Sequence, residues 1–180
     1  RVVGSLDRAV RSGKLSEPDR DAAFGRLAFT TDYSDLTNSD LVVEAVIEDE
    51  KLKTSVFREL DRAVISPEAI LASNTSSIPI MKLGIATQRP EHVIGIHFFN
   101  PVPVLRLVEL VTSLLTSPET TERASGFATD VLGKRVIRSQ DRAGFIVNAL
   151  LIPYLLSAIR MMESGFATAD DIDAGMMEGC

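Results

Sequence analysis

The chain has 180 residues, 45% of them hydrophobic, a formal charge of −6 and one cysteine, Cys180, at its last position. That length holds one ordinary domain, or one domain with part of another, and the acidic balance argues against nucleic acid or an anionic membrane as the main partner. A lone cysteine excludes a disulfide framework within the chain, no apolar run approaches the roughly 20 residues that cross a bilayer, and no signal-sequence pattern opens the chain, so a soluble, cytoplasmic protein is expected.

In chain order, Leu6, Ala9 and Val10 recur at helical spacing, and Gly13 ends that pattern. Ser16-Glu17-Pro18-Asp19 opens a second helix, with Ser16 as N-cap. Residues 27–30 read as a short strand, and Thr37-Asn38-Ser39-Asp40 as a turn. Residues 41–47 follow as a near-continuous apolar strand, the kind a parallel sheet covered on both faces requires. Leu52, Val56, Leu60 and Val64, with Phe57 beside them, make a helical stripe closed by Pro67.

Residues 69–72 are the next strand, running into Ser73-Asn74-Thr75-Ser76-Ser77. A short helix over 80–86 precedes a buried strand over 93–97 and another over 105–111. Ser117-Pro118-Glu119 begins a helix with proline at its first position. Its expected buried face is Ala124, Phe127, Ala128, Val131 and Leu132, and Gly133 ends it. Residues 135–138 are the last strand.

The character changes near Asp141. Residues 145–162 are apolar almost all round, which predicts a deeply buried helix, of the kind often found between domains or subunits. Pro153 should kink or restart it, Gly165 ends it, and Thr168-Ala169-Asp170-Asp171 resembles a capping box for one more helix. The strand–helix alternation predicts an α/β fold with a doubly wound, mostly parallel sheet over residues 1–140. The start of an all-α domain follows over 141–180. The chain begins at Arg1 and stops just after a helix has begun, which reads as a fragment whose first strand–helix unit is missing.

His97 stands at the end of an apolar run and leads into Phe98-Phe99-Asn100-Pro101-Val102-Pro103-Val104. Twelve residues later Glu109 lies inside a second apolar run, where a carboxylate is costly without a partner. A histidine across a hairpin is a suitable partner, and the two together have the make-up of a base and its orienting group. The competing readings are a satisfied structural histidine and a glutamate on a half-exposed strand. The 73–77 cluster lies at the carboxyl end of a strand, where open α/β sheets place ligands, or it serves as a helix N-cap. Asn148, in an apolar helix, needs hydrogen-bond partners that are either structural or a ligand. By charge alone Glu48 and Lys53 read as a solvated helix face, and Met161 and Met162 as core. Arg1, Arg8, Arg11 and Lys14, interspersed with Asp7, are weak candidates for attracting an anion.

Four motifs in order, Ser73-Asn74-Thr75-Ser76-Ser77, His97-Phe98-Phe99-Asn100-Pro101-Val102-Pro103, Leu107-Val108-Glu109 and Gly144-Phe145-Ile146-Val147-Asn148, closely resemble the 3-hydroxyacyl-CoA dehydrogenase family. Within it the chain is most similar to the bacterial members that act on 3-hydroxybutyryl-CoA, along essentially its whole length. The resemblance implies an NAD-binding Rossmann-like domain and a helical domain that makes a homodimer. It implies oxidation of short-chain (S)-3-hydroxyacyl-CoA to 3-ketoacyl-CoA, or the reverse. His97 would be the general base, Glu109 would orient it and stabilise its imidazolium, and Ser76 and Asn148 would position the substrate oxygens and the ring. Glu48, Lys53 and Asn100 would contact the cofactor, with Asn74 alongside, while Ser5 and Lys14 would fall near the CoA-contacting helix. No metal is implied.

The chain departs from the family pattern at one point. The glycine-rich G-x-G-x-x-G turn is absent, as is the acidic residue that reads the adenosine ribose. NAD therefore rests on the resemblance alone, and NADP stays open. Two competing expectations remain: a catalytically inactive fragment that only binds or self-associates, and a dehydrogenase of hydroxy acids without CoA.

Overall fold

The computed structural model describes residues 2–180 in two compact units divided after Asp35. The first contains α1 (Val2–Arg11) and α2 (Glu17–Phe24), joined by an ion pair of 2.8 Å between Arg20 and Asp7. Ser16 caps α2 by accepting the amide of Asp19. The strand expected over residues 27–30 does not form. Phe29 is 73% exposed, and the Thr30 hydroxyl is committed to Asp35 and to the amide of Asp32. Such local side-chain bonds favour a turn over a ladder.

The second unit is organised on a five-stranded sheet. Its strands are β1 (Leu41–Glu44), β2 (Ile70–Ser73), β3 (Val93–Phe98), β4 (Leu107–Thr112) and β5 (Arg135–Gln140), in that spatial order. β1, β2 and β3 run parallel, β4 is antiparallel to β3, and β5 is parallel to β4. β1 ends three residues earlier than expected. The backbone of Val46 is claimed by side chains, its amide by Glu44 and its carbonyl by Lys53, so it has no bonds left for a ladder.

Side chains alternate across the sheet. Leu71, Val93 and Val111 face a core completed by Phe57, Leu60, Ile80, Leu83 and Phe145. Ile70, Ala72, Ile94, Ile96, Val108 and Leu110 face the opposite side with Ala124. The first core is covered by α3 (Glu50–Ala63) and α4 (Ile80–Gly84). Asp49 caps α3 at its start, and at its end Arg89 donates to the carbonyls of Asp61, Val64 and Ser66. The short α4 is capped from a distance, the Asp141 carboxylate accepting the amides of Ile80 and Met81.

Gly95 is where α4 comes closest to the sheet. A Cβ there would lie 2.8 Å from the Cβ of Val111 and 2.9 Å from Cδ1 of Ile80. Neither neighbour has room, so Gly95→Ala should destabilise the protein by about 1–3 kcal/mol through overpacking. Chemical denaturation is the check, and a loss below about 0.5 kcal/mol would show that α4 is free to shift.

The second core is covered by α5 (Pro118–Gly126), which continues to Val131 as a wider π-type turn. Ala124 and Ala128 are buried as expected, but Val131 is 70% exposed and Leu132 is exposed too. The i→i+5 bond from the Leu132 amide to Phe127 carries these residues off the face that Ala124 and Ala128 define.

The chain ends in α6 (Val147–Glu163) and α7 (Ala169–Gly179), which pack on each other. Thr168 caps α7 through the amide of Asp171, and α6 runs through Pro153 as one helix. Within this chain Phe145 is buried, but no residue of α6 is, and Leu150 is 70% exposed, so the burial expected for residues 145–162 is of the kind that further domains or subunits provide. Met161 and Met162 are likewise exposed rather than core. An all-round apolar helix is buried only with neighbours on every side, and here α7 covers part of it. Among the described residues no helix is long and apolar enough to cross a membrane.

Candidate active site

His97 and Glu109 are register partners in the antiparallel β3–β4 pair. Directly opposed residues of such a pair project on the same face, with Cβ atoms about 5 Å apart. The sheet itself therefore makes the contact, Nδ1 of His97 lying 2.8 Å from Oε2 of Glu109. Glu109 is fully buried, and its other oxygen, Oε1, accepts the amides of Ile146 and Val147 at 3.0 Å each. The carboxylate thus sits at the N-terminus of α6, where the helix dipole favours negative charge. One side chain satisfies the histidine and two otherwise unpaired helix amides.

The imidazole is packed between two aromatic rings. Phe99 lies 4.6 Å away between ring centroids, and Phe145 presents its edge at 5.5 Å. Phe145 has φ +50°, a conformation uncommon for a non-glycine residue. It follows Gly144, with φ +77°, where a Cβ would meet the Ala149 amide at 2.9 Å. This tight turn brings both the Phe145 ring and the first amides of α6 to the His97–Glu109 pair. Nε2 of His97 has no protein partner among the described residues and is not sealed from solvent.

A second cluster occupies the carboxyl ends of β1 and β2. Glu48 Oε1 accepts the Thr75 hydroxyl at 2.5 Å, the amides of Ser76 and Ser77 at 3.0 and 3.1 Å, and the Ser77 hydroxyl at 3.0 Å. The Ser76 hydroxyl is only loosely held, at 3.5 Å, and is free to turn to a ligand. The N-cap role expected of this stretch is not filled by it: Thr75 accepts the amide of Ile78, ahead of α4, and that helix is capped by Asp141 instead. Asn74 links the two clusters, since its Oδ1 accepts the amide of Phe98, the residue after His97.

Two readings by charge are corrected here. Lys53 is not on a solvated face: it is 1% exposed, with its ammonium 2.7 Å from Glu44 and 3.5 Å from Glu48. Glu48 is exposed, as its charge suggests, but it lies on the loop before α3 rather than on a helix face and accepts bonds from residues 75–77. Burial pushes its pKa up, but bonds from Thr75, Ser76 and Ser77, with the charge of Lys53, outweigh this and hold it at about 2. A carboxylate depressed in the folded state stabilises the fold above its unfolded pKa, and that stabilisation is lost as pH falls towards 2. Urea midpoints of wild type and Glu48→Gln should therefore converge between pH 5 and 2. A constant gap would mean that Glu48 is not charged in this arrangement.

Glu44 was not singled out from sequence, although the signal was present. Like Glu109, it is a carboxylate inside an apolar run. The other expected residues are dispersed. Asn100 is exposed on the loop after β3, which Lys134 fastens by bonds to the carbonyls of Val102 and Leu105. Asn148 is half-buried, one residue beyond the Val147 amide that Glu109 holds. Neither amide side chain has a protein partner among the described residues. Ser5 and Lys14 are exposed in the first unit, on α1 and just after it, and Ser5 bonds Arg8.

Comparison with known proteins fits this geometry. Residues 1–142 match the family model for the NAD binding domain of 3-hydroxyacyl-CoA dehydrogenase, and residues 144–180 match that for its C-terminal domain. The chain is 59% identical over 179 residues to a 3-hydroxybutyryl-CoA dehydrogenase of Mycobacterium tuberculosis, covering 99% of this chain and 63% of that protein. It is 43% identical over 178 residues to one from Bradyrhizobium diazoefficiens, covering 99% of this chain and 60% of that protein. The crystal structure of (S)-3-hydroxybutyryl-CoA dehydrogenase PaaH1 from Ralstonia eutropha superposes with a TM-score of 0.95 at 41% identity, covering 98% of this chain and 62% of that one. The chain therefore spans a little over 60% of the length of several relatives it matches. With both family models accounted for along consecutive stretches, the chain belongs to the 3-hydroxyacyl-CoA dehydrogenase family.

Proposed function

We propose that the whole protein interconverts short-chain (S)-3-hydroxyacyl-CoA, in particular 3-hydroxybutyryl-CoA, and 3-ketoacyl-CoA with NAD. The observation that carries this reading is the His97–Glu109 pair, in which one imidazole nitrogen is held by a buried carboxylate and the other is left open. His97 Nε2 takes the 3-hydroxyl proton as the hydride leaves C3, and the carbonyl forms between C3 and its oxygen. Glu109 holds the tautomer that leaves Nε2 unprotonated and then stabilises the imidazolium. In the reverse direction the same nitrogen returns the proton.

The residues present fit a nicotinamide cofactor. The site lies at the carboxyl ends of parallel strands, the usual ligand position in such sheets, with an unpartnered imidazole nitrogen, a loosely held Ser76 hydroxyl and the unpartnered amides of Asn100 and Asn148. When bound, NAD supplies the hydride acceptor. Asn100, Glu48 and Asn74 serve the cofactor side, and Lys53, being buried, acts there through its charge and its hold on the 45–49 loop. Ser76 and Asn148 position the substrate, and Ser5 and Lys14 serve the CoA moiety. Residues 1–140 form the cofactor-binding domain and 141–180 belong to the helical one that makes the homodimer, in the cytoplasm.

The test is turnover by the full-length protein of 3-hydroxybutyryl-CoA against free 3-hydroxybutyrate, each with NAD and NADP. NADH formation with the thioester, at least a hundredfold faster than with the free acid, is expected. Equal rates on the free acid would overturn the substrate assignment, and a preference for NADP would overturn the cofactor.

A further inference from the structure

We infer that Glu44 is a positioning residue for the cofactor side of the site, an inference that rests on the reading above. Glu44 closes β1 and is the register partner of Ser73, which closes β2. Its carboxylate is buried, and all its bonds run to segments that border the crevice. Oε1 accepts the Lys53 ammonium at 2.7 Å and the amide of Val46 at 2.6 Å. Oε2 accepts the Ser73 hydroxyl at 2.7 Å. Its backbone carbonyl accepts the amide of Asn74 at 2.8 Å. One residue therefore joins β1, the 45–49 loop, α3 through Lys53, and the start of the 74–77 loop.

The consequence follows from charge balance. Lys53 lies between two carboxylates, 2.7 Å from Glu44 and 3.5 Å from Glu48. A buried ammonium must keep a counter-charge. With Glu44 neutralised, Lys53 turns to Oε2 of Glu48, the only other carboxylate it pairs with among the described residues, and the shift of that carboxylate loosens the bonds its Oε1 receives from Thr75, Ser76 and Ser77. The two loops then lose the bonds that hold them in register, although no residue that meets the substrate has been altered. Glu44 acts on the cofactor through Lys53 and Glu48, without touching it.

The experiment uses full-length protein and three readouts: NADH affinity by fluorescence titration, separate KM values for NAD and the acyl-CoA, and amide hydrogen exchange of Ser76 and Ser77 without cofactor. Glu44→Gln should weaken NADH binding and raise KM for NAD by about tenfold, a factor worth 1.4 kcal/mol at 298 K. KM for the acyl-CoA should rise less than KM for NAD, because Ser76 is the one substrate-positioning residue on the loosened loop. Exchange at Ser76 and Ser77 should quicken at the same time. Equal changes in both KM values, or none, would overturn the proposal.

Should Glu44→Gln fold poorly, Glu44→Gln combined with Lys53→Met removes both buried charges and their mismatch. A purely structural pair predicts that this double variant recovers stability and NADH affinity together. Because Lys53 itself serves the cofactor side, Lys53→Met alone is measured beside it: the positioning role predicts that stability returns while the double variant binds NADH no better than Lys53→Met, and recovery of both stability and wild-type affinity would overturn it. A wild type that binds NADH but does not oxidise the thioester would defeat the substrate reading and leave the Glu44 inference standing. A wild type that binds neither NADH nor NADPH would defeat both.

Discussion

His97→Gln is expected to lower kcat for oxidation of 3-hydroxybutyryl-CoA by about 10²–10⁴-fold, the usual contribution of a positioned general base. Glutamine can still receive a hydrogen bond from the substrate hydroxyl, so KM for the thioester should change by less than about threefold. Stability should change little, because the Glu109 carboxylate keeps its two α6 amides whether or not His97 is present. Steady-state kinetics on the full-length protein, with a denaturation curve for each variant, separate these effects. Retention of more than about a tenth of wild-type kcat would rule out the base assignment, since that is less than the smallest usual contribution.

Glu109 should show the second large effect, and two substitutions divide its roles. In Glu109→Gln a carbonyl oxygen remains for the amides of Ile146 and Val147, so the start of α6 stays in place. The new NH₂ donates to Nδ1 of His97, which moves the imidazole proton to Nε2. The atom facing the substrate then holds a proton when it should accept one. A wrong tautomer of this kind costs about 10⁴-fold where it has been measured in a histidine–carboxylate pair, and a loss of at least about 10³-fold in kcat is expected here.

Glu109→Ala removes the acceptor altogether. It leaves two part-buried helix amides, which water can partly satisfy, and an imidazole without a partner, each costing at most about 1–3 kcal/mol. A loss of about 2–5 kcal/mol in stability follows, with α6 released from the end of the sheet. Comparing kcat and urea midpoints of the two variants is decisive. If Gln and Ala are equally stable, the carboxylate does not anchor α6. If Gln retains near-wild-type kcat, the carboxylate does not set the tautomer.

The strands were legible because each is a short apolar run bounded by turn residues, and all five were placed with their edges within a few residues. The errors arise where a side chain, near or far in the chain, competes for the backbone or a charge, or where a helix changes phase. β1 stops at Glu44 because the side chains of Glu44 itself and of Lys53 take the Val46 backbone. Lys53 is buried because a carboxylate 9 residues earlier in the chain waits for it at the strand end. Residues 27–30 form no strand because Asp32 and Asp35 claim Thr30. Val131 and Leu132 face outward because a single wide turn changes the phase of the helix.

By itself, the sequence determined the alternation of strands and helices and the caps at Ser16 and Thr168, and it offered an embedded glutamate as the partner of a nearby histidine. These are local or nearly local: periodicity sets the element, a side chain one turn away sets the cap, and a hairpin of twelve residues can register only a few partners. Tertiary structure alone decided the rest. It brought the amides of Ile146 and Val147, 37 and 38 residues away, to Glu109, and Asp141 to the start of α4, 61 and 60 residues away. It also closed the ring of bonds around Glu44 and Glu48. The reason is that a buried polar group is satisfied by whatever the fold brings to it, and sequence distance does not limit that choice.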